Sequence, residues 1–305
     1  MSAVLEVFFT DGTSLETDRL VGFRCVRERY TPYSSLTVTA EAECAKSDIV
    51  KVDLYVYGRL IHSGTMDNLT VSVSGGRNLL KLTSRGFSAM LSQNEIAPGV
   101  LTSVSLNSLM LTHMTVPNIT WEDNGDTVRY IYIKEHDSQW AAIVCMGLAL
   151  KEDYPYVGGT NDVRLSAPSS PMTVSPPELF EEGVTGSYSR VVSDFYMKDV
   201  NDSYSYHYTD GFAAARGIRR CKFIPFDRQF IGLDHFGLEY KLRYTERGCT
   251  ARFAVYPGYN GEELRDRFVF PDGEQREISS VEVCGNSKKG VFTKITCYSD
   301  GYCNK

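Results

Sequence analysis

The sequence predicts a mainly β protein: two antiparallel β-barrel-like modules flanking a small α+β subdomain. Three observations carry this. Apolar and polar residues alternate with a period of two along most of residues 1–99 and again near the C-terminus. Tyrosine and phenylalanine are abundant, 19 and 15 of 305 residues, and with valine and threonine they favour strands. Turn residues separate the runs at the close spacing of a barrel or sandwich.

In the first module, residues 1–99, a strand over 4–10 turns at Asp11-Gly12-Thr13, and another spans 20–27. Over 36–42, Leu36, Val38 and Ala40 alternate with Thr37, Thr39 and Glu41. Runs 49–57 and 60–64 flank Gly58-Arg59 as a tight hairpin. Leu69, Val71 and Val73 alternate with Thr70, Ser72 and Ser74, so one face of this strand is expected to be buried. Gly75-Gly76-Arg77-Asn78 turns it into the run 80–84, glycine tolerating positive φ. From Phe87, Met90 and Leu91 recur at helical spacing and predict a short exposed helix, stopped by Pro98-Gly99.

Residues 100–165 form the α+β insert. The run 101–114 is weakly helical in pattern, 121–126 turn-like and 128–133 a strand. His136-Asp137-Ser138-Gln139 offers capping groups to a helix carrying Trp140, Ile143, Val144 and Leu148. Trp140 is expected to anchor that helix to the insert's own sheet. Residues 154–165 form an extended pair around Gly158-Gly159. Residues 166–187 hold four of the eleven prolines and read as a linker or extended arm. The second module, 188–305, has expected strands at 191–200, 204–208, 250–256, 276–284 and 291–298. It also has a helical turn at 212–220 and a glycine-weakened helix across 227–245. Residues 285–290 close the last hairpin.

The net charge of −6 argues against a nucleic-acid-binding surface. Arg216, Arg219, Arg220 and Lys222 make one basic patch, read as a solvated or intersubunit ion-pair face. No run approaches the roughly 18 apolar residues of a membrane span. Glu6 and Asp11 do not suit a signal peptide, so folding in a cytoplasm is expected. The eight cysteines (Cys25, Cys44, Cys145, Cys221, Cys249, Cys284, Cys297 and Cys303) contain no C-x-x-C pair and read as reduced, small apolar residues.

Chemistry-bearing patterns are missing: no dinucleotide or P-loop glycine motif, no G-x-S-x-G, and no histidine pair at i, i+4 among His62, His113, His136, His207 and His235. Asp199, Asp202, His207 and Asp210 lack calcium-loop register and read as a turn. Glu262, Glu263 and Asp266 have the residue types of a glycosidase acid–base pair. Their charges alternate with arginines, so a solvent-facing or intersubunit ion-pair cluster is the favoured reading. No catalytic, cofactor-binding or metal residue is assigned, and no enzyme activity is expected.

Local motifs add a resemblance. Gly64-Thr65-Met66-Asp67, Ser84-Arg85-Gly86-Phe87-Ser88-Ala89-Met90-Leu91 and Asn94-Glu95 with Pro98 carry it in the first module. Ser138-Gln139-Trp140 opens a similar helix in the insert. Tyr256-Pro257-Gly258-Tyr259 and Leu264-Arg265-Asp266-Arg267-Phe268-Val269 carry it in the last module. In these the chain resembles the baseplate hub proteins of contractile-tail phages, tailocins and phage-derived injection particles. The resemblance implies a homotrimer whose six modules approximate a hexagonal ring around a channel, adapting the hexameric tail tube to the three-fold central spike. It implies as partners the tail tube, spike, tape-measure and baseplate wedge proteins. DNA would pass only as cargo through the lumen, and no membrane or cofactor is implied. Assembly is expected in the bacterial host cytoplasm, into a virion tail baseplate or tail-like particle. Two alternatives stand beside it. One is a β-rich, tail-associated carbohydrate-active enzyme or binding module using Glu262, Glu263 and Asp266. The other is the hub portion of a type VI secretion spike, whose usual β-helical needle is not expected in a chain ending at Lys305.

Overall fold

The alternation in the sequence becomes one long antiparallel sheet. The computed structural model describes residues 2–44, 48–230 and 236–299. The chain opens with β1 (Ala3–Phe9), β2 (Ser14–Thr17), β3 (Leu20–Glu28), β4 (Ser35–Glu41), β5 (Ile49–Val56), β6 (Arg59–Ser74) and β7 (Arg77–Gly86). β1 buries Ala3, Leu5, Val7 and Phe9 and half-exposes the residues between, as a pleated strand with one covered face must. A 3-10 turn (Phe87–Ala89) leads into α1 (Met90–Gln93). The short helix expected to be exposed instead buries Phe87, Ser88, Ala89 and Leu91, because the insert packs over it and takes Leu91 into its core.

The insert comprises β8 (Gly99–Ser105), α2 (Leu106–His113), β9 (Thr120–Trp121), β10 (Thr127–Ile133), α3 (Gln139–Lys151), β11 (Tyr156–Gly158) and β12 (Asp162–Arg164). The run 101–114 is therefore not helical throughout: its first part pairs with β10 as a strand. The boundary is a reciprocal cap. The Ser105 hydroxyl accepts from the Ser108 N–H at 3.1 Å and the Ser108 hydroxyl accepts from the Ser105 N–H at 3.0 Å. Ser138 caps α3 by accepting from the Ala141 N–H at 3.1 Å. Trp140, Ile143 and Met146 of α3 pack with Leu109, Ile131 and Val163 into a core belonging to the insert.

Next come β13 (Thr173–Val174), β14 (Glu181–Gly186), β15 (Asp194–Met197), β16 (Tyr206–Thr209), α4 (Gly211–Ala215), β17 (Cys221–Ile224), a second 3-10 turn (Arg228–Phe230) and α5 (Phe236–Glu246). The strand expected over 191–200 is shorter, and β17 carries no alternation that announces it. The middle of the helix expected across 227–245 lies outside the described residues. β18 (Thr250–Pro257), β19 (Arg267–Val269), β20 (Gln275–Glu277), β21 (Ser280–Asn286) and β22 (Gly290–Tyr298) end the chain. The single strand expected over 276–284 is two. Ile278 donates to the Asp266 carbonyl and accepts from the Arg265 N–H, each at 2.8 Å, so the chain changes partners there.

Eleven strands form one sheet in the order β14-β18-β22-β21-β3-β4-β7-β6-β5-β1-β2. β3 and β21 join the N-terminal and C-terminal strands, with Cys25 opposite Val283. One core runs under both halves, from Leu5, Leu36, Val52 and Leu82 to Tyr256, Phe268, Val281 and Ile295. β14, from the proline-rich arm, pairs only with β18 and takes the outer edge, where strands tolerate nearby proline. β15, β16 and β17 make a separate small sheet. No helix among the described residues is long and apolar enough to cross a membrane.

Candidate assembly surfaces

The motif residues of the first module and insert meet at one joint. Gly64 and Gly86 face each other across β6 and β7. A Cβ on Gly64 would overlap the Arg85 carbonyl; one on Gly86 would lie 2.7 Å from Asn161 Oδ1 and 3.0 Å from Ser34 Oγ. Asp67 accepts from both Nε and Nη2 of Arg85 at 2.8 Å, a bidentate pair. Asn161, at φ 70°, donates to the Ser63 carbonyl at 2.9 Å and accepts from the Ser88 N–H and hydroxyl at 3.2 and 3.1 Å. The Asn94 carbonyl accepts from the Gln139 N–H at 2.9 Å, tying the segment after α1 to the start of α3. These residues join the root of the β6–β7 hairpin to the insert.

Beside the joint, His62 is fully buried. Its Nδ1 meets Ser34 Oγ and its Nε2 meets Ser84 Oγ, both at 2.8 Å. Burial first, and the Arg27 cation second, push the imidazole down to about 3, with Asp67 opposing. The ring is therefore neutral at pH 7, and with both nitrogens occupied the histidine is structural.

The carboxylates expected to face solvent do not. Glu262 is fully buried and Asp266 nearly so. Glu262 accepts from the Tyr256 hydroxyl at 2.5 Å and the Asn260 N–H at 2.8 Å. Asp266 accepts from the N–H groups of Glu263 and Met172, each at 2.8 Å. Glu263 pairs with buried Arg27 at 2.8 Å and accepts from the Gly159 N–H at 3.1 Å. Next to them, Arg29 and Arg265 both engage Asp153, at 2.6 and 2.5 Å, and Glu277, at 3.1 and 3.2 Å. This network ties β3 to the end of α3 and to the loop before β19. Arg27 continues the inward phase of Phe23 and Cys25 along β3, and Arg29 keeps that phase one residue past its end.

The Asp199 carboxylate accepts from the N–H groups of Asn201 and Ser203 and from the Ser205 hydroxyl, at 2.8, 3.1 and 2.7 Å, closing a turn between β15 and β16. No cluster among the described residues has the makings of a metal site. In the basic patch, Arg216 lies 3.6 Å from the Phe212 ring centroid and Arg220 donates to the carbonyls of Tyr188 and Val191. Of the seven described cysteines, Cys25, Cys44, Cys249 and Cys297 are buried, Cys145 and Cys284 half-buried, and Cys221 is exposed, against expectation. Cys303 and His235 lie outside the described residues.

Among the described residues, several apolar surfaces are left uncovered. The tip of the β6–β7 hairpin is exposed, with Val71 at 46% and Val73 at 72%. The face expected to be buried is open because the hairpin outruns its sheet. β5 stops pairing with β6 at Gly64 and β4 stops pairing with β7 at Leu79. The β14 edge carries Val184, 75% exposed. On the β15–β17 sheet, Tyr196 is sandwiched between His207 at 4.1 Å and Phe223 at 4.9 Å, with Phe223 and Tyr204 open to solvent.

No protein-family model matches this chain, and no curated protein matches it in sequence. Solved structures do match in fold. The tail protein from Neisseria meningitidis MC58 superposes with a TM-score of 0.71 at 12% identity, covering 99% of this chain and 98% of that one. The 43 kDa tail protein of prophage MuSo2 from Shewanella oneidensis gives 0.68 at 12% identity, covering 97% of each chain. The E. coli c3393 protein is a type VI secretion component described as structurally similar to the T4 phage tail proteins gp27 and gp5. It gives 0.50 at 9% identity, covering 91% of this chain and 72% of that one. The chain has the fold of phage tail proteins along nearly its whole length.

Proposed function

We propose that this chain is a structural hub protein of a phage tail or tail-like particle. It forms a homotrimeric ring that adapts the hexameric tail tube to the three-fold central spike. The observation that carries this reading is a fold shared end to end with two phage tail proteins. Residues 1–99 and 188–305 supply the paired barrel-like modules, so three chains present six similar faces while keeping a true three-fold axis. The uncovered hairpin tip and the β14 edge support it, since exposed edges persist where assembly covers them. The lumen passes the tape-measure protein and DNA, and wedge proteins sit outside. The fold shared with the type VI secretion component supports a second setting, the hub of a secretion spike. The glycosidase alternative loses its motive, because its carboxylates are held in internal hydrogen bonds. Native mass spectrometry at rising concentration tests the proposal: a species of three times 34.2 kDa is expected, and a stable two-fold dimer rules it out.

A further inference from the structure

Two clefts, one beside β1 and β2 and one between β17 and the end of α5, are lined by charge of opposite sign. At the β2 end, Glu6 stands directly opposite Glu16 on β2 and opposite Asp53 on β5, placing three carboxylates in one cross-strand row. Like charges in such a row repel and destabilise a sheet. Lys51 answers only part of it, pairing with Asp53 Oδ2 at 2.7 Å, while buried Asp53 Oδ1 has no hydrogen-bond partner. Above the row, a cleft of about 490 Å³ is lined by Glu6, Glu16, Asp18 and Tyr55 and by no Lys or Arg among the described residues. The Tyr55 hydroxyl lies above its usual range, through desolvation first and then the fields of Asp53 and Glu6.

The second cleft has the reverse sign, whereas the β14 edge itself carries exposed Glu181 and Glu182. That cleft, of about 650 Å³ beside the chain leaving β14, is lined by Arg190, Arg220, Lys222 and Arg247, with no carboxylate. Arg190 and Lys222 are exposed, and neither forms a salt bridge among the described residues. In a chain of net charge −6, such a cleft does not follow from average composition. β2 and β14, the two end strands, are not hydrogen-bonded to each other.

We infer that the acidic row of one copy docks against the basic cleft of the next, so that copies associate head to tail. Such a contact is heterologous: each chain gives one end and receives the other, and the series closes into a ring when the rotation allows. Lys and Arg from the neighbour meet Glu6, Glu16 and Asp18 in the acidic cleft, and the contact weakens with salt because Glu16 and Asp18 are exposed. The inference rests on the trimeric reading and adds which residues meet and in what polarity.

The test uses the full chain and exposed residues. Glu16→Lys with Asp18→Lys reverses one end; Arg190→Glu with Lys222→Glu reverses the other. Sedimentation equilibrium is run at about 0.05 and about 0.5 M NaCl, with circular dichroism confirming the fold of each variant. Each double variant is expected to weaken association at least about tenfold, and the chain carrying all four reversals to recover it. A wild-type trimer that neither reversal nor salt disturbs overturns this interface and leaves the trimeric reading standing. A folded wild-type chain that forms no closed ring overturns both.

Discussion

The two halves of the β6–β7 hairpin share a strand pattern and differ in everything else. At the root, His62, Ser84, Gly64 and Gly86 are enclosed by neighbouring strands and by Asn161 from the insert. At the tip, Val71 and Val73 alternate with Ser72 and Ser74 just as inward residues do, yet nothing among the described residues covers them. Alternation states which residues share a face; what lies across from that face decides burial. The root is built for one conformation, and the tip leaves Val71 and Val73 open to solvent.

Breaking the root should cost most. Trp140→Ala, in the core of the insert on which the root leans, should lower unfolding stability by about 3–5 kcal/mol in a denaturant titration. Gly64→Ala should cost about 3 kcal/mol, because the new methyl meets backbone that has no way to yield. pH sharpens the contrast. The folded His62 pKa, about 3, lies below its ordinary 6.5, so the unfolded chain takes up the proton first. Its contribution is complete above pH 6.5 and declines as pH falls from 6.5 toward 3, by up to about 1.4 kcal/mol per unit. Unfolding titrations from about pH 7 to pH 4 should show a shallower slope in His62→Gln. At the tip, Val71→Ser with Val73→Ser should move the monomer's stability by no more than about 0.5 kcal/mol. The same variant should weaken self-association measured by sedimentation.

The strand content and the insert's helix were legible because they rest on local patterning and capping: Leu36, Val38 and Ala40 point inward as their spacing requires, and Ser138 caps α3. What was illegible depends on distant partners. The burial of Glu262 and Asp266 follows from Tyr256, Asn260 and Met172, whose approach no local spacing announces. The break at Ile278 follows from the loop it binds, and the exposure of Val71 from where β4 and β5 stop. Arg27 and Arg29 were readable in phase, but charge argued for the surface, and only the carboxylates of Asp153, Glu263 and Glu277 reverse that argument.

Amide hydrogen exchange, compared between the monomeric and the assembled chain, tests the contrast most directly. The account predicts that residues 59–66 are protected in both states and that residues 69–80 gain protection only on assembly. Equal exchange at the tip in the two states, or loss of protection at the root, would contradict it.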